Sequence, residues 1–149
     1  MHSQLLFRKA DKKDIEKIIH IERLCFDVDA FNKRQFLYLL SHNYFYVAEL
    51  KNEILAYIIL LDSKRAKSLR LYSIAVHPHA RGMQIGQHLL DHAFKLAKSL
   101  HKEGMHLEVR DTNLSAIQFY KKNGFSFSGS KPAYYADGAT ATIMRVCFE

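Results

Sequence analysis

A chain of 149 residues with 48% hydrophobic side chains and a mean hydropathy of −0.19 has the size and composition of one folded soluble domain, not of a disordered segment. Its formal charge of +7 and pI near 9.4 fit an anionic partner or simply a basic surface, but no nucleic-acid-binding motif accompanies the charge, and no nucleic acid is expected as a partner. No apolar run approaches the roughly 18 residues of a membrane span, and MHSQLLFRKADKKD lacks the apolar stretch of a signal peptide, so a cytoplasmic protein with no membrane partner is expected.

In chain order, Leu5–Arg8 reads as a short strand. Asp11 is placed to N-cap a helix from Lys12 to about Cys25, with Ile15, Ile18, Ile21 and Cys25 near one face. Asn32–Leu40 reads as a second short helix, and Tyr44–Leu50 and Ile54–Asp62 as strands joined by a hairpin at Lys51–Glu53. The one dense basic cluster, Lys64, Arg65, Lys67 and Arg70, reads as a solvated hairpin turn before a third long strand at Leu69–Val76. Gly86–His101 has helical periodicity through Leu89, Leu90, Ala93, Phe94 and Ala97, with Gly104 suited to the C′ position.

Met105–Arg110 is a strand. Asn113 is placed to N-cap a helix holding Ala116, Ile117, Phe119 and Tyr120, which stops at Asn123–Gly124. Phe125–Gly129 and Thr140–Cys147 follow as strands. The order β-α-α-β-β-β-α-β-α-β-β predicts an α/β (α+β) mixed sheet with helices on its faces, in a single domain over residues 1–149. Cys25 and Cys147, widely separated and in apolar contexts, read as reduced and buried. His88 and His92 stand four apart on one helix, but HLLDH is not a metalloprotease signature and no third ligand is evident, so surface histidines and no metal are expected.

The chemistry concentrates in IAVHPHARGMQIGQ, residues 74–87. An apolar strand ends at Val76, Pro78 breaks it, and a loop carrying Arg81, Gly82 and Gly86 opens a helix. Such a junction points unpaired backbone N–H groups and the positive end of a helix dipole at one place, a site for an anion such as a pyrophosphate. Glu108 lies in a strand between Leu107 and Val109, where a carboxylate either faces solvent, paired with Arg110 or Lys102, or lines a cleft. Tyr120 shares a helix side with Ala116 and Ile117, so its ring belongs to the edge of the core.

These segments together resemble the GNAT family of acetyl-CoA-dependent N-acetyltransferases, and within it the RimI-type enzymes that acetylate protein N-termini. The likeness covers nearly the whole chain: FRKADKKDIEKI, HIERLCF, the IAVHP strand end, LEVR, NLSAIQFYKKNGF and YYADGATATIM. The spacing N-x-x-A-I-x-x-Y-x-x-x-G-F is its most discriminating element. The resemblance implies the GNAT acyl-CoA N-acyltransferase fold, a mostly antiparallel central sheet with one splayed parallel pair of strands flanked by helices. It also implies acetyl-CoA as co-substrate and no metal.

The family's loop pattern, Arg/Gln-x-x-Gly-x-Gly/Ala, aligns with Arg81-Gly82-Met83-Gln84-Ile85-Gly86, so Gln84 stands where the middle glycine is expected. A left-handed Gln84 would cost on the order of 1–2 kcal/mol; Gly82 taking the strain, or a loop that stays right-handed, are the alternatives. By the same resemblance Ile74, Ala75 and Val76 pair with the pantetheine arm and polarise the thioester, Arg81–Gln87 hold the pyrophosphate, and Asn113 contacts CoA besides capping its helix. Glu108 is the implied proton acceptor for the amine, with Glu22 a weaker rival, and Tyr120 the donor to the departing thiolate.

Tyr134 and Tyr135, just before the turn Ala136–Asp137–Gly138, match tyrosines on the loop that covers the substrate N-terminus in RimI-type enzymes. FDVDAF at residues 26–31 lacks the Pro and Trp common in those enzymes, so the acceptor pocket is expected to differ, with Asp27 or Asp29 able to meet a cationic substrate. The expected function is acetyl transfer to a primary amine, first of all a protein or peptide N-terminus. A lysine side chain, a polyamine or another small amine is the alternative acceptor, and a non-catalytic acyl-CoA-binding module is a further reading.

Overall fold

The computed structural model describes residues 5–26 and 32–149. The elements run β1 (Leu5–Lys9), α1 (Ile15–Cys25), α2 (Lys33–His42), β2 (Tyr44–Leu50), β3 (Glu53–Leu61), β4 (Ser68–Val76), α3 (Ile85–Ser99), β5 (Gly104–Arg110), α4 (Leu114–Lys122), β6 (Ser126–Lys131) and β7 (Ala141–Cys147). Among the described residues the strands form one sheet in the order β1-β2-β3-β4-β5-β7-β6. Its β4–β5 pair is parallel and its other pairs are antiparallel. This is the mixed sheet and the element order expected from the sequence.

Local chemistry sets most of the ends. The β2–β3 hairpin turns on Lys51 and Asn52, both with positive φ (52° and 65°), as a two-residue type I′ turn requires. Asn32 caps α2 by accepting from the Gln35 N–H at 2.9 Å, and the Gln35 side chain returns a bond to the Asn32 N–H. Asp11 caps a short 3-10 turn over Lys12–Asp14, and the α-helix proper starts at Ile15, three residues later than its apolar spacing suggested. Arg8 ties this corner to the sheet through bonds to Asp14 at 2.8 and 2.9 Å and to Glu49 at 2.8 Å.

Apolar residues fall on the two faces of the sheet as strand alternation dictates. One core joins α3 and α4 to Leu69, Leu71, Met105, Leu107 and Met144. The other joins α1 and α2 to Phe45, Tyr57, Ile59 and Ala75. On α3 the buried side chains Ile85, Leu89, Leu90, Ala93 and Ala97 recur at helical spacing, and each of its leucines contributes about 1.5–3 kcal/mol by leaving water. Among the described residues no helix is long and apolar enough to cross a membrane.

Two irregularities in β4 open the sheet at its centre. Ile59 pairs with Ser73 while Leu60 pairs with Leu71, so Tyr72 is the extra residue of a bulge. Beyond it β4 leaves its parallel neighbour: pairing with β5 covers only Ser68–Arg70 against Gly104–His106. Leu71–Val76 and Leu107–Arg110 therefore face one another across an open V, the splayed pair that the resemblance implies.

Three expectations are corrected. Gly104 is not the C′ residue of α3; the positive φ there belongs to His101 (61°), and Gly104 opens β5. Its hydrogen is required because a Cβ would collide with the Val146 carbonyl oxygen and stand 3.1 Å from the Cys147 Cα. Cys147 is exposed and Cys25 half-buried, both as free thiols, because β7 turns its last residue outward. Arg70 does not belong to the solvated turn with Lys64, Arg65 and Lys67; it lies within β4 and bonds the Glu108 carboxylate of β5.

Gly104→Ala is expected to lower the free energy of unfolding by about 2 kcal/mol through overpacking between β5 and β7. Urea unfolding monitored by tyrosine fluorescence measures it, and an unchanged midpoint would show that the pair of strands can part without cost.

Candidate active site

The V opens onto a loop that turns Val76 into α3. Pro78–Ala80 form one 3-10 turn, capped by His77 Nδ1, which accepts from the His79 N–H at 3.1 Å. Arg81 is extended, Gly82 has φ of 90°, and Gln84 occupies the N-cap of α3 in the left-handed region (φ 60°, ψ 25°). The left-handed Gln84 foreseen as one alternative is thus the conformation present, and Gly82 does not relieve it. Because no side chain caps α3, its first-turn N–H groups and the positive end of its dipole are left to an outside acceptor.

They border a cleft of about 320 Å³ lined by Val76, Arg81, Gly82, Gln84, Ile85, Gly86 and Gln87, and by Phe119 and Lys122 of α4. Gly86 lies at the cleft wall, where a Cβ would be in ordinary contact with Val76 at 3.7 Å and Phe119 at 3.9 Å. The uncapped helix end, the Arg81 and Lys122 charges and an adjoining apolar wall fit a phosphorylated ligand with an extended arm. Phe119 and Lys122 escaped the sequence reading; their three-residue spacing, which puts both on one side of α4, is the signal that could have found them.

The other expected cofactor positions are distributed differently. Met83 turns away and lines a separate cleft with His77 and His79. Ile74 packs on the α3 side of the sheet and Ala75 is buried on the α1 side, so these strand residues present backbone, not side chains, to the V. Gln87 is engaged with Asn123, donating to its side-chain oxygen at 2.7 Å, and with Asp91 at 2.9 Å. Asn113 caps α4, accepting from the Ala116 N–H at 3.3 Å, and does not line the cleft.

Along β5, Met105, Leu107 and Val109 point into the α3–α4 core, which puts Glu108 on the opposite face. Its side chain, 8% exposed, is held by Arg70 at 2.8 Å and Lys131 at 3.0 Å. Burial alone would raise its pKa, but the hydrogen bonds and charges of Lys131 and Arg70 outweigh burial and hold the carboxyl below the usual carboxylate range. Neither Arg110 nor Lys102 is its partner: Arg110 pairs with Asp137 at 3.0 Å, and Lys102 with Asp62 at 2.6 Å.

Tyr134 and Tyr135 close the side of this groove. Their rings meet edge to face at 5.0 Å, Arg70 donates to the Tyr134 hydroxyl at 3.1 Å, and Arg110 lies over the Tyr135 ring at 4.5 Å. The turn after them is made by the Gly138 N–H bonding the Tyr135 carbonyl at 2.9 Å. Glu108, Tyr134 and Tyr135, predicted separately, are thus brought together with Arg70 and Lys131, which the sequence reading did not assign to the site.

Tyr120 approaches from α4. It is buried against Phe119 and Phe125, and no group among the described residues hydrogen-bonds its hydroxyl. Burial, with Tyr135 adding to it, pushes its pKa well above the usual phenol value, so the hydroxyl keeps its proton and is available as a donor. Glu22, the rival carboxylate, is 1% exposed on α1 and accepts a hydrogen bond from Tyr57, whose hydroxyl also lies 3.0 Å from Ser73 Oγ. That chain of contacts braces the bulged segment of β4. Asp27 and Asp29 lie outside the described residues. His88 is exposed, His92 packs against Tyr46 at 4.8 Å, and among the described residues no group of three or more His, Cys, Asp or Glu gathers as a metal site.

Comparison with known proteins bears on the fold and the family. The model of the Acetyltransferase (GNAT) family matches residues 15–125. An N-alpha-acetyltransferase of Sulfolobus acidocaldarius is 32% identical, the match covering 92% of this chain and 89% of that one. A putative [ribosomal protein bS18]-alanine N-acetyltransferase of Bacillus subtilis is 29% identical, with 98% and 97% covered. The crystal structure of Ard1 from Thermoplasma volcanium superposes with a TM-score of 0.90 at 28% identity, covering 97% of this chain and 98% of that one.

The left-handed Gln84 makes no side-chain cap that would offset its strain. Gln84→Gly is expected to raise stability by about 0.5–1 kcal/mol, the strain removed less the added backbone entropy of glycine. Thermal unfolding should show a rise of roughly 1–4 °C; a fall would show that the loop holds Gln84 without strain.

Proposed function

This chain belongs to the acetyltransferase (GNAT) family, and we propose that it acetylates the free α-amine of a protein or peptide N-terminus, with acetyl-CoA as donor. As a member of that family it is an N-acetyltransferase. The observation that carries the choice of acceptor is the charge around Glu108: a carboxylate held by two cations and kept below its usual pKa. Such a group is a poor acceptor of the proton of a lysine or polyamine ammonium, whose pKa is about 10.4. An α-amine, with a pKa of about 8, is partly neutral near pH 7.5 and attacks without prior help. Relatives named N-alpha-acetyltransferase, aligned over about nine-tenths of the chain, support the same reading.

Bound acetyl-CoA supplies an activated acyl carbon at the mouth of the V, its pyrophosphate on the uncapped turn of α3 and its arm beside the unpaired edge of Ile74–Val76. Arg81 and Lys122 add charge to that grip, and Phe119 an apolar wall. Backbone groups of Ile74–Val76 are the donors suited to the developing oxyanion. Glu108 receives the proton from nitrogen once the N–C bond has formed, where that proton is far more acidic than on the free ammonium, so a low-pKa carboxylate suffices. Tyr120, which burial keeps protonated, is the donor to sulfur as the C–S bond breaks, so that the thiol leaves neutral. Tyr134 and Tyr135 flank the incoming N-terminus.

Glu108→Gln and Tyr120→Phe are each expected to lower kcat by roughly 10²-fold. For the unmodified enzyme, kcat/KM should rise with pH through the substrate amine's pKa of about 8, with no limb from Glu108 near neutral pH, because Arg70 and Lys131 hold its carboxyl below the usual carboxylate range. Thiol release with two peptides tests the acceptor: one has a free N-terminus and no lysine, the other a blocked N-terminus and one lysine. Transfer to the first alone is expected; transfer to the second alone would overturn the reading in favour of lysine.

A further inference from the structure

Two cations share the Glu108 carboxylate, and both have bonding capacity left over. Arg70 Nε is buried and without a hydrogen-bond partner among the described residues. Lys131, the last residue of β6, has 45% of its side chain in solvent, its ammonium 3.0 Å from Glu108 and 5.3 Å from the centre of the Tyr134 ring. An aromatic wall beside an excess of positive charge is a receptor for an anion attached to the acceptor, not for a cationic one.

We propose that Lys131, backed by Arg70, is a specificity-determining residue that selects N-termini with a carboxylate on the second residue. The proposal rests on the α-amine reading of the same site. With the amine beside Glu108, the second Cα lies about 3.8 Å further along the substrate chain, so an Asp or Glu there extends its carboxylate into the region of the Lys131 ammonium. Lys131 is the partner able to turn toward it, because Arg70 is tied to Glu108 at 2.8 Å and to Tyr134 at 3.1 Å while Lys131 sits at the exposed rim.

The exchange leaves every charge paired. It also removes one cation from Glu108, the direction that makes the carboxylate a better proton acceptor, so recognition and proton transfer act through the same lysine. A basic second residue brings a third cation to the same place and is disfavoured by like charge.

Steady-state N-terminal acetylation of three peptides that differ only in residue two (Glu, Gln or Arg) tests this, using the wild-type protein, K131Q and K131E. The wild type is expected to show kcat/KM for Glu about tenfold above Gln, the size of one charge-assisted hydrogen bond, and Arg below both. The ratio should fall to about one in K131Q, and the order should reverse in K131E. Equal rates on all three peptides with the wild type, or a uniform fall in K131E that keeps the order, would overturn the proposal while leaving the α-amine reading intact. Absence of transfer to any of the three would overturn both.

Discussion

Backbone N–H and C=O groups inside a fold need partners, yet β4 and β5 stop pairing after Arg70 and His106. The cause is in the strands themselves. The bulge at Tyr72 adds twist to β4, which stays bonded to β3 as far as Val76, while β5 stays bonded to β7 as far as Arg110. Each strand thus follows its outer neighbour, and the gap between them is held open by two well-packed halves of the sheet. An extended polar arm laid into that gap satisfies the same groups that a strand would. Everything with chemical character in this protein is arranged around the opening: the uncapped α3 at one end, Tyr120 from the α4 side, and Glu108 with its cations on the opposite face.

The electrostatics of that opposite face set the charge state of Glu108. A buried carboxylate without cations would have a raised pKa and would serve as a strong base. Arg70 and Lys131 reverse the direction, so Glu108 stays ionised and weakly basic. This is the basis for proposing an acceptor amine that is partly neutral already. Tyr120 is shifted the opposite way by burial, with Tyr135 adding to it, and so keeps its proton. The two groups thus sit in environments that push them in opposite directions, one toward its ionised form and the other toward its neutral form.

Much of this was legible in the sequence, and for identifiable reasons. The helical spacing of Leu89, Leu90, Ala93, Phe94 and Ala97 marked α3, because burial on one side of an element leaves a period in the chain. Asn113 announced its helix through capping chemistry that needs only neighbouring residues. The loop at Arg81–Gly86 was visible as a strand–loop–helix junction, while the candidate roles of Glu108 and Tyr120 came from the resemblance to the GNAT family. Gly104 was misread because local reasoning supplies a helix end nearby, whereas the constraint on it comes from Val146, far along the chain.

The sequence by itself therefore determined the elements, their order, the mixed sheet and the loop that opens α3, since each depends on interactions within a few residues or on a periodic pattern. Only the tertiary structure decided where β4 leaves β5, that Arg70 belongs to the groove and not to the basic turn before it, and that Lys131 at the end of β6 shares its carboxylate. These are contacts between strands brought together by the sheet order β4-β5-β7-β6, which sets remote side chains a few ångströms apart without leaving any local mark in the chain. The same order turns Glu108 from an ordinary strand residue into a carboxylate whose charge state is set by two distant cations.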